Sequence, residues 1–369
     1  MFHGCRKHCA ALFALGSGLG ALCLFWALRG HPGAMAWWVA HVSMPFKRVV
    51  SALVDPLPFS ACEAGATLAI AGALAMLGRC VWQAARYRQF VFGTWALHLA
   101  AVVTWGYALV CGLWGTQYYG PSFAMQAGLL APAVSTEQLG AVTAYFAAQV
   151  NATSGAVPRA ADGSFAVSVE TILGSSTGTY DALAAQYPFL AGPERRAKPA
   201  FYSKLMSAAG FTGYLCPLLG ESTLNVDCPA VFLPVTVTHE FAHQRGVAAE
   251  QEANFVGVQA AVSCADPVYN YSGWLFGYLH LSNALYAADP EAASASYASL
   301  CAAAHSDMAA NDAYWKQWEG PAKAAGEKVY TTFLKSYDQD LGMKSYGACV
   351  DLLVEAYLPN TTAGATAAP

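Results

Sequence analysis

The sequence predicts a mainly α to α+β protein, with three N-terminal transmembrane helices followed by one mostly helical extracytoplasmic domain. Three observations point there. The 369 residues are 56% hydrophobic and only 11% charged, with a mean hydropathy of +0.35, too apolar for an ordinary soluble chain. Three apolar stretches, each near the ~20 residues that a helix needs to cross a bilayer, lie in the first third. Beyond them, apolar residues recur at steps of three and four, the spacing of one helix face. A net charge of −4 and a pI near 6.1 provide no basic field for nucleic acid, which is excluded as a partner.

Residues 1–115 form the expected membrane region, with spans at about 11–28, 59–78 and 91–114. The first run, Ala11 to Leu28, carries no charge, and its 18 residues exceed the ~7–15 of a signal-peptide core. It is expected to be retained as an anchor. Glu63 stands near the start of the second span, and the third holds only the neutral His98. Residues 34–54, with Trp37, Trp38, Phe46 and Val49 around Lys47 and Arg48, resemble an amphipathic segment lying in the membrane interface. Arg6 and Lys7 precede the first span, and Arg79, Arg86 and Arg88 join the second to the third. Basic residues beside spans favour the cytoplasm, so the N-terminus is expected inside and everything after Trp114 outside.

The outer part, 116–359, is about 250 residues long, enough for one substantial core. Pro121 to Val150 has a helical pattern ending in a loop at Asn151 to Gly163, and a short helix is expected around Asp181 to Tyr187. Pro199 to Leu233 is dense in Gly, Pro and β-branched residues, with strands expected at Thr223–Val226 and Ala230–Leu233. Asp289 followed by Pro290 is a helix start, and one long Ala-rich helix is expected from there towards Trp318. Residues 360–369 are expected to be a frayed tail. Five cysteines, Cys216, Cys228, Cys264, Cys301 and Cys349, lie in this part, which allows at most two disulfides; no C-x-x-C pair suggests a thiolate zinc knuckle.

The chemistry concentrates in Val237 to Phe255, which contains H-E-x-x-H. On a helix, His239 and His243 are one turn apart and project from one face, so both imidazoles can bind one Zn²⁺. Glu240 lies beside them, placed to take the proton of a zinc-activated water and return it to a leaving amine. A hydrolytic site needs a third protein ligand. Gly246 suits the residue just past a helix end, where the chain reverses, and the next helix is expected near Ala248. That reversal brings back Glu250 or Glu252, which stand about 200° apart around a helix, so only one can face the metal. Glu250 is the expected ligand and Glu252 the alternative, either exposed or paired with Arg245. Asn254, one turn after Glu250, is expected to accept the Nδ1 proton of a ligating histidine.

The sequence resembles the bacterial membrane proteins called domain of unknown function 3810, which look like zincin-type metallopeptidases. The resemblance is carried by Pro58-Phe59-Ser60 with Glu63, by Lys204 to Asn225, by the H-E-F-A-H-Q-R-G to E-A-N-F run, by Tyr271-Ser272-Gly273, and by Gly342 to Asp351 around Ser345-Tyr346-Gly347. Glu250 followed by Asn254 is similar to the E-x-x-x-D/N arrangement of gluzincins, in which the glutamate ligates zinc. Family members usually have Asp or Glu where this chain has Gln251. The resemblance implies a zincin-like domain and a multi-pass zinc peptidase of the bacterial cell membrane acting on peptides or proteins.

Tyr269, Tyr271 and His280 follow the second zinc helix and are the candidate donors to the oxyanion of a tetrahedral intermediate. Gly220 to Val226 is expected to be a sheet edge, where an extended substrate can add a strand. The expected function is hydrolysis of a peptide bond, with zinc as cofactor. The rival is a non-catalytic membrane sensor or scaffold with a metal-containing, ligand-binding domain; a third reading is amide hydrolysis in cell-wall material.

Overall fold

The computed structural model describes residues 2–87, 92–130, 134–339 and 347–365, with side chains from 8 to 361. The side chains of Arg6 and Lys7, and residues Val91, Arg88, Ser345 and Tyr346, lie outside the described set. The chain divides into two compact units, Met1–Pro121 with the loop Cys216–Gly220, and the remainder.

In the first unit, α1 (Phe2–Leu28), α4 (Ala61–Tyr87) and α5 (Phe92–Leu113) are long and apolar enough to span a membrane. The second of these begins and ends later than the expected 59–78: Arg79 and Arg86 are good helix formers, so the helix continues past its apolar run. Helices α1 and α5 pack together, and Trp105 Nε1 donates to the Ala14 carbonyl at 2.8 Å. Large apolar side chains face outward along all three, Phe13 at 78%, Leu68 at 72% and Val102 at 69% exposure, as lipid-facing helices require. Between α1 and α4, residues 34–54, expected at the membrane interface, are helical throughout, in α2 (Pro32–Trp38), a π turn (Val39–Ser43) and α3 (Met44–Val54). One face of α3 buries Lys47 and Ser51 while Phe46, Val49 and Leu53 stay exposed on the other.

The second unit is helical around a three-stranded sheet. Its first helices are α6 (Phe123–Ala127) and α7 (Thr136–Ser154), two pieces where the periodicity suggests one, because the chain turns at Gly128 with φ 70°. Ser135 and Gln138 cap α7 reciprocally, at 3.1 and 3.0 Å. Short helices α8 (Val169–Gly174) and α9 (Asp181–Gln186) lead to the mixed region of β1 (Lys198–Pro199), α10 (Ser203–Ala209), β2 (Gly213–Cys216) and β3 (Glu221–Leu224). The strand order is β1-β3-β2, with β1 parallel to β3. Residues Ala230–Phe232, expected as a strand, form a 3-10 turn that opens into the next helix.

Helices α11 (Leu233–Gln244), α12 (Glu250–Ser263) and α13 (Pro267–Ala288) pack in sequence, and α13 also lies along α7. Nine of the twelve residues of α11 are buried, so it is a central helix surrounded by neighbours. The expected Ala-rich helix is two, α14 (Pro290–Ala298) and α15 (Ala302–Lys316). The break is held by Asn151, whose amide accepts from Cys301 N at 2.7 Å and donates to Ser299 O at 2.9 Å, satisfying the backbone groups that the interrupted helix releases. Helices α16 (Pro321–Ser336) and α17 (Gly347–Ala365) complete the unit. Helix α17 runs through Pro359 into the expected tail; residues 366–369 lie outside the described set. In this unit Cys228, Cys264, Cys301 and Cys349 are free thiols.

Candidate metal centre

Helix α11 ends because Gly246 follows it with φ 92°, a conformation that favours glycine, and Val247 N returns to the Ala242 carbonyl at 3.1 Å. The chain reverses there and restarts as α12 at Glu250. What sets the distance between the two helices is Gly257. A Cβ there would stand 2.9 Å from both Cα and N of His239, so α12 lies directly on the backbone of the metal helix, and Thr238 Oγ1 donates to the Gly257 carbonyl at 2.8 Å. Gly257→Ala is therefore expected to push α12 away and cost about 1–3 kcal/mol of stability. Thermal unfolding and metal titration of that variant should show a lower Tm and weaker binding together, since Glu250 rides on the same helix.

With the helices so placed, His239, His243 and Glu250 converge. His239 Nε2 lies 3.4 Å from Glu250 Oε2 and His243 Nε2 lies 3.5 Å from Oε1, and the three donor atoms fall within 4.8 Å of one another. Two ligands each ~2.0–2.1 Å from a tetrahedral ion sit about 3.4 Å apart, so the spacing fits a metal ion held by all three. His243 is oriented from behind: its Nδ1 lies 2.6 Å from the Val247 carbonyl, a donor position that turns Nε2 toward Glu250. Burial alone would hold the His243 ring neutral, but the Glu250 carboxylate outweighs it and pushes the pKa up to about 9. Burial equally disfavours the charge on Glu250, and there the two histidines win, holding it well below the ordinary carboxylate range. Both rings ligate only when neutral, so a bound cation takes the place of that proton.

Glu240 is buried on the same helix, and its Oε2 makes no hydrogen bond. Burial raises its pKa, with the charges of His239 and His243 acting against the rise. Strand β2 closes its other side, since a Cβ at Gly213 would stand 2.8 Å from Glu240 Oε1.

Other expected site residues lie elsewhere. Glu252 is neither exposed nor paired with Arg245: its buried carboxylate accepts from Phe123 N at 2.8 Å and Ala124 N at 2.9 Å, capping α6. Asn254 makes no hydrogen bond to His239 or His243 among the described residues; the Val247 carbonyl takes the partner position at His243. Tyr271 is fully buried and donates to Asp307 at 2.7 Å, beneath the guanidinium of Arg159, so its hydroxyl is committed away from the metal ligands. The Tyr269 hydroxyl goes to the Ile172 carbonyl. His280 is buried with its ring against Phe276, and burial drives its pKa down to about 4, with the charge of His239 lowering it further. Strand β3 is the middle strand and fully buried, so it is not a sheet edge.

Three groups that the motif alone does not reveal complete the surroundings. Gln244 donates to the Arg195 carbonyl at 3.2 Å and to Ser222 at 2.9 Å, tying the segment before β1 and the strand β3 to the end of α11. Arg245 bonds Glu194 at 2.9 Å and lies 3.8 Å over the Tyr180 ring. From the far C-terminal side, the Tyr330 hydroxyl donates to Glu250 Oε1; nothing in the spacing of α16 announces that contact.

Fold and site together define a mainly helical protein with three candidate membrane spans and a candidate His-His-Glu metal site. Residues 41–354 match the proteins of unknown function designated DUF3810, and the chain belongs to that family. No curated protein and no solved structure matches it.

Proposed function

We propose that this protein is a membrane-anchored zinc peptidase. The supporting observation is the convergence of His239, His243 and Glu250 within 4.8 Å of one another, with Glu240 buried on the same helix and its Oε2 without a hydrogen bond. Two imidazoles and one carboxylate match the donor set of hydrolytic zinc sites, which keep a fourth position open. Zinc, when bound, supplies Lewis acidity, lowering the pKa of water to about 7 and polarising a carbonyl. Glu240 takes the proton of the attacking water and passes it to the departing amine, a role suited to a carboxylate whose pKa burial has raised. His280, buried and held neutral on α13, is the group we assign to the developing oxyanion. The three apolar helices anchor the chain in the bacterial cell membrane, with the N-terminus cytoplasmic and the peptidase unit outside, by the distribution of basic residues around the spans.

The full-length protein in detergent, incubated with a peptide library and separately with cell-wall material, tests this reading. Peptide cleavage abolished by a chelator and restored by zinc is the expected result. Cleavage confined to cell-wall amides would move the substrate class. Hydrolysis of neither, with zinc bound, would make the unit a ligand-binding sensor.

A further inference from the structure

We infer that Tyr330 is a positioning residue of this metal centre, its hydroxyl fixing which oxygen of Glu250 serves the metal. The inference rests on the reading of His239, His243 and Glu250 as ligands. Tyr330 arrives from 80 residues beyond Glu250, so its presence there depends on how α16 is held.

Helix α16 is held on one side, by α10. A Cβ on Gly326 would stand 2.5 Å from the Ala209 carbonyl oxygen, and the Lys323 stem crosses Gly210, 3.3 Å from where a Cβ would be. The two backbones thus meet at a separation that a side chain at 326 forbids. One turn later, the Tyr330 ring stands edge-on to Phe211 at 5.5 Å and parallel to Phe333 at 6.3 Å, which fixes its direction. Among the described residues Leu334 is the one buried residue of this helix, and Val329 is 71% exposed.

The consequence falls on Glu250. Its Oε2 faces His239 and its Oε1 faces His243. The hydrogen bond from Tyr330 occupies a lone pair on Oε1 and stops the carboxylate from rotating, which leaves Oε2 the stronger electron donor and favours ligation through one oxygen. Hydrogen bonds of this kind to ligating side chains are commonly worth ~10–100-fold in metal affinity. Tyr330 acts here through Glu250.

The test is the zinc affinity of the full-length protein in detergent, by competition with a chromophoric chelator, for wild type, Y330F, G326A and V329A, with the Tm of each metal-free form. Y330F keeps the ring and its packing, so its metal-free Tm should match wild type while zinc affinity falls ~10–100-fold. G326A should weaken binding as well, by backing α16 off Ala209, and V329A should leave it unchanged. Wild-type affinity in Y330F would overturn the inference and leave the metal centre standing. A wild type that binds no zinc would overturn both.

Discussion

Glu240→Gln is expected to remove hydrolysis by a factor of ~10²–10⁴ while the metal stays bound, the range associated with losing a positioned general base. The argument is geometric. Glu240 stands outside the His239, His243, Glu250 ligand set, so the amide disturbs no ligand. It is buried with Oε2 free of hydrogen bonds and Oε1 against Gly213, so an isosteric side chain fits without displacing β2. Gln also carries no charge, and removing a buried carboxylate that burial already disfavours should leave the metal-free fold as stable or slightly more so. Turnover of a cleaved peptide, measured beside metal content, separates this account from a binding module, in which Glu240→Gln would leave function intact.

Glu250→Ala and Glu252→Ala, two residues apart, are expected to fail in opposite ways. Glu250 is 22% exposed and its carboxylate meets both histidines; without it, metal affinity should fall by more than the ~100-fold that losing a mere supporting group costs. Glu252 is 8% exposed and satisfies two backbone N–H groups at the start of α6; without it, metal should remain while stability drops by about 1–3 kcal/mol for the orphaned donors. A pH series adds a sign check to the metal site. Metal-free His243 holds its proton up to about 9, above the unfolded value of 6.5. Its ion pair therefore stabilises the metal-free fold fully below 6.5, and that contribution is lost as pH rises through 9. Metal binding must expel the same proton, so affinity should rise over the window in which metal-free stability falls. Calorimetry in buffers of different ionisation enthalpy should count about one proton released per metal at neutral pH. Equal affinities in the two alanine variants would refute the assignment of ligands.

Much of this centre is legible in the sequence because its parts are local. H-E-x-x-H puts two imidazoles on one face by helix geometry alone, Gly246 marks the reversal, and the 200° between Glu250 and Glu252 forces a choice. What the sequence hides is tertiary. Glu252 has the same chemistry as Glu250, and only the position of Phe123 and Ala124, more than a hundred residues earlier, gives it another task. Tyr271 sits in a motif of the family resemblance, yet its hydroxyl serves Asp307 and Arg159. Tyr330 is one tyrosine among 19, singled out only by the contact of α16 with α10. The same limit applies to the fold. The three spans follow from hydropathy, but the break between α14 and α15 depends on Asn151. Strand β2 is too short and mixed to show a period of two, and Ala230–Phe232 has strand-like residues that the start of α11 draws into a turn.

The most direct test of the metal centre is elemental analysis of the full-length protein purified without added metal, then reconstituted with zinc and freed of excess. One zinc per chain, removable by a chelator and absent from His243→Ala, is the predicted result. A folded wild type that takes up no metal would contradict the account at its root.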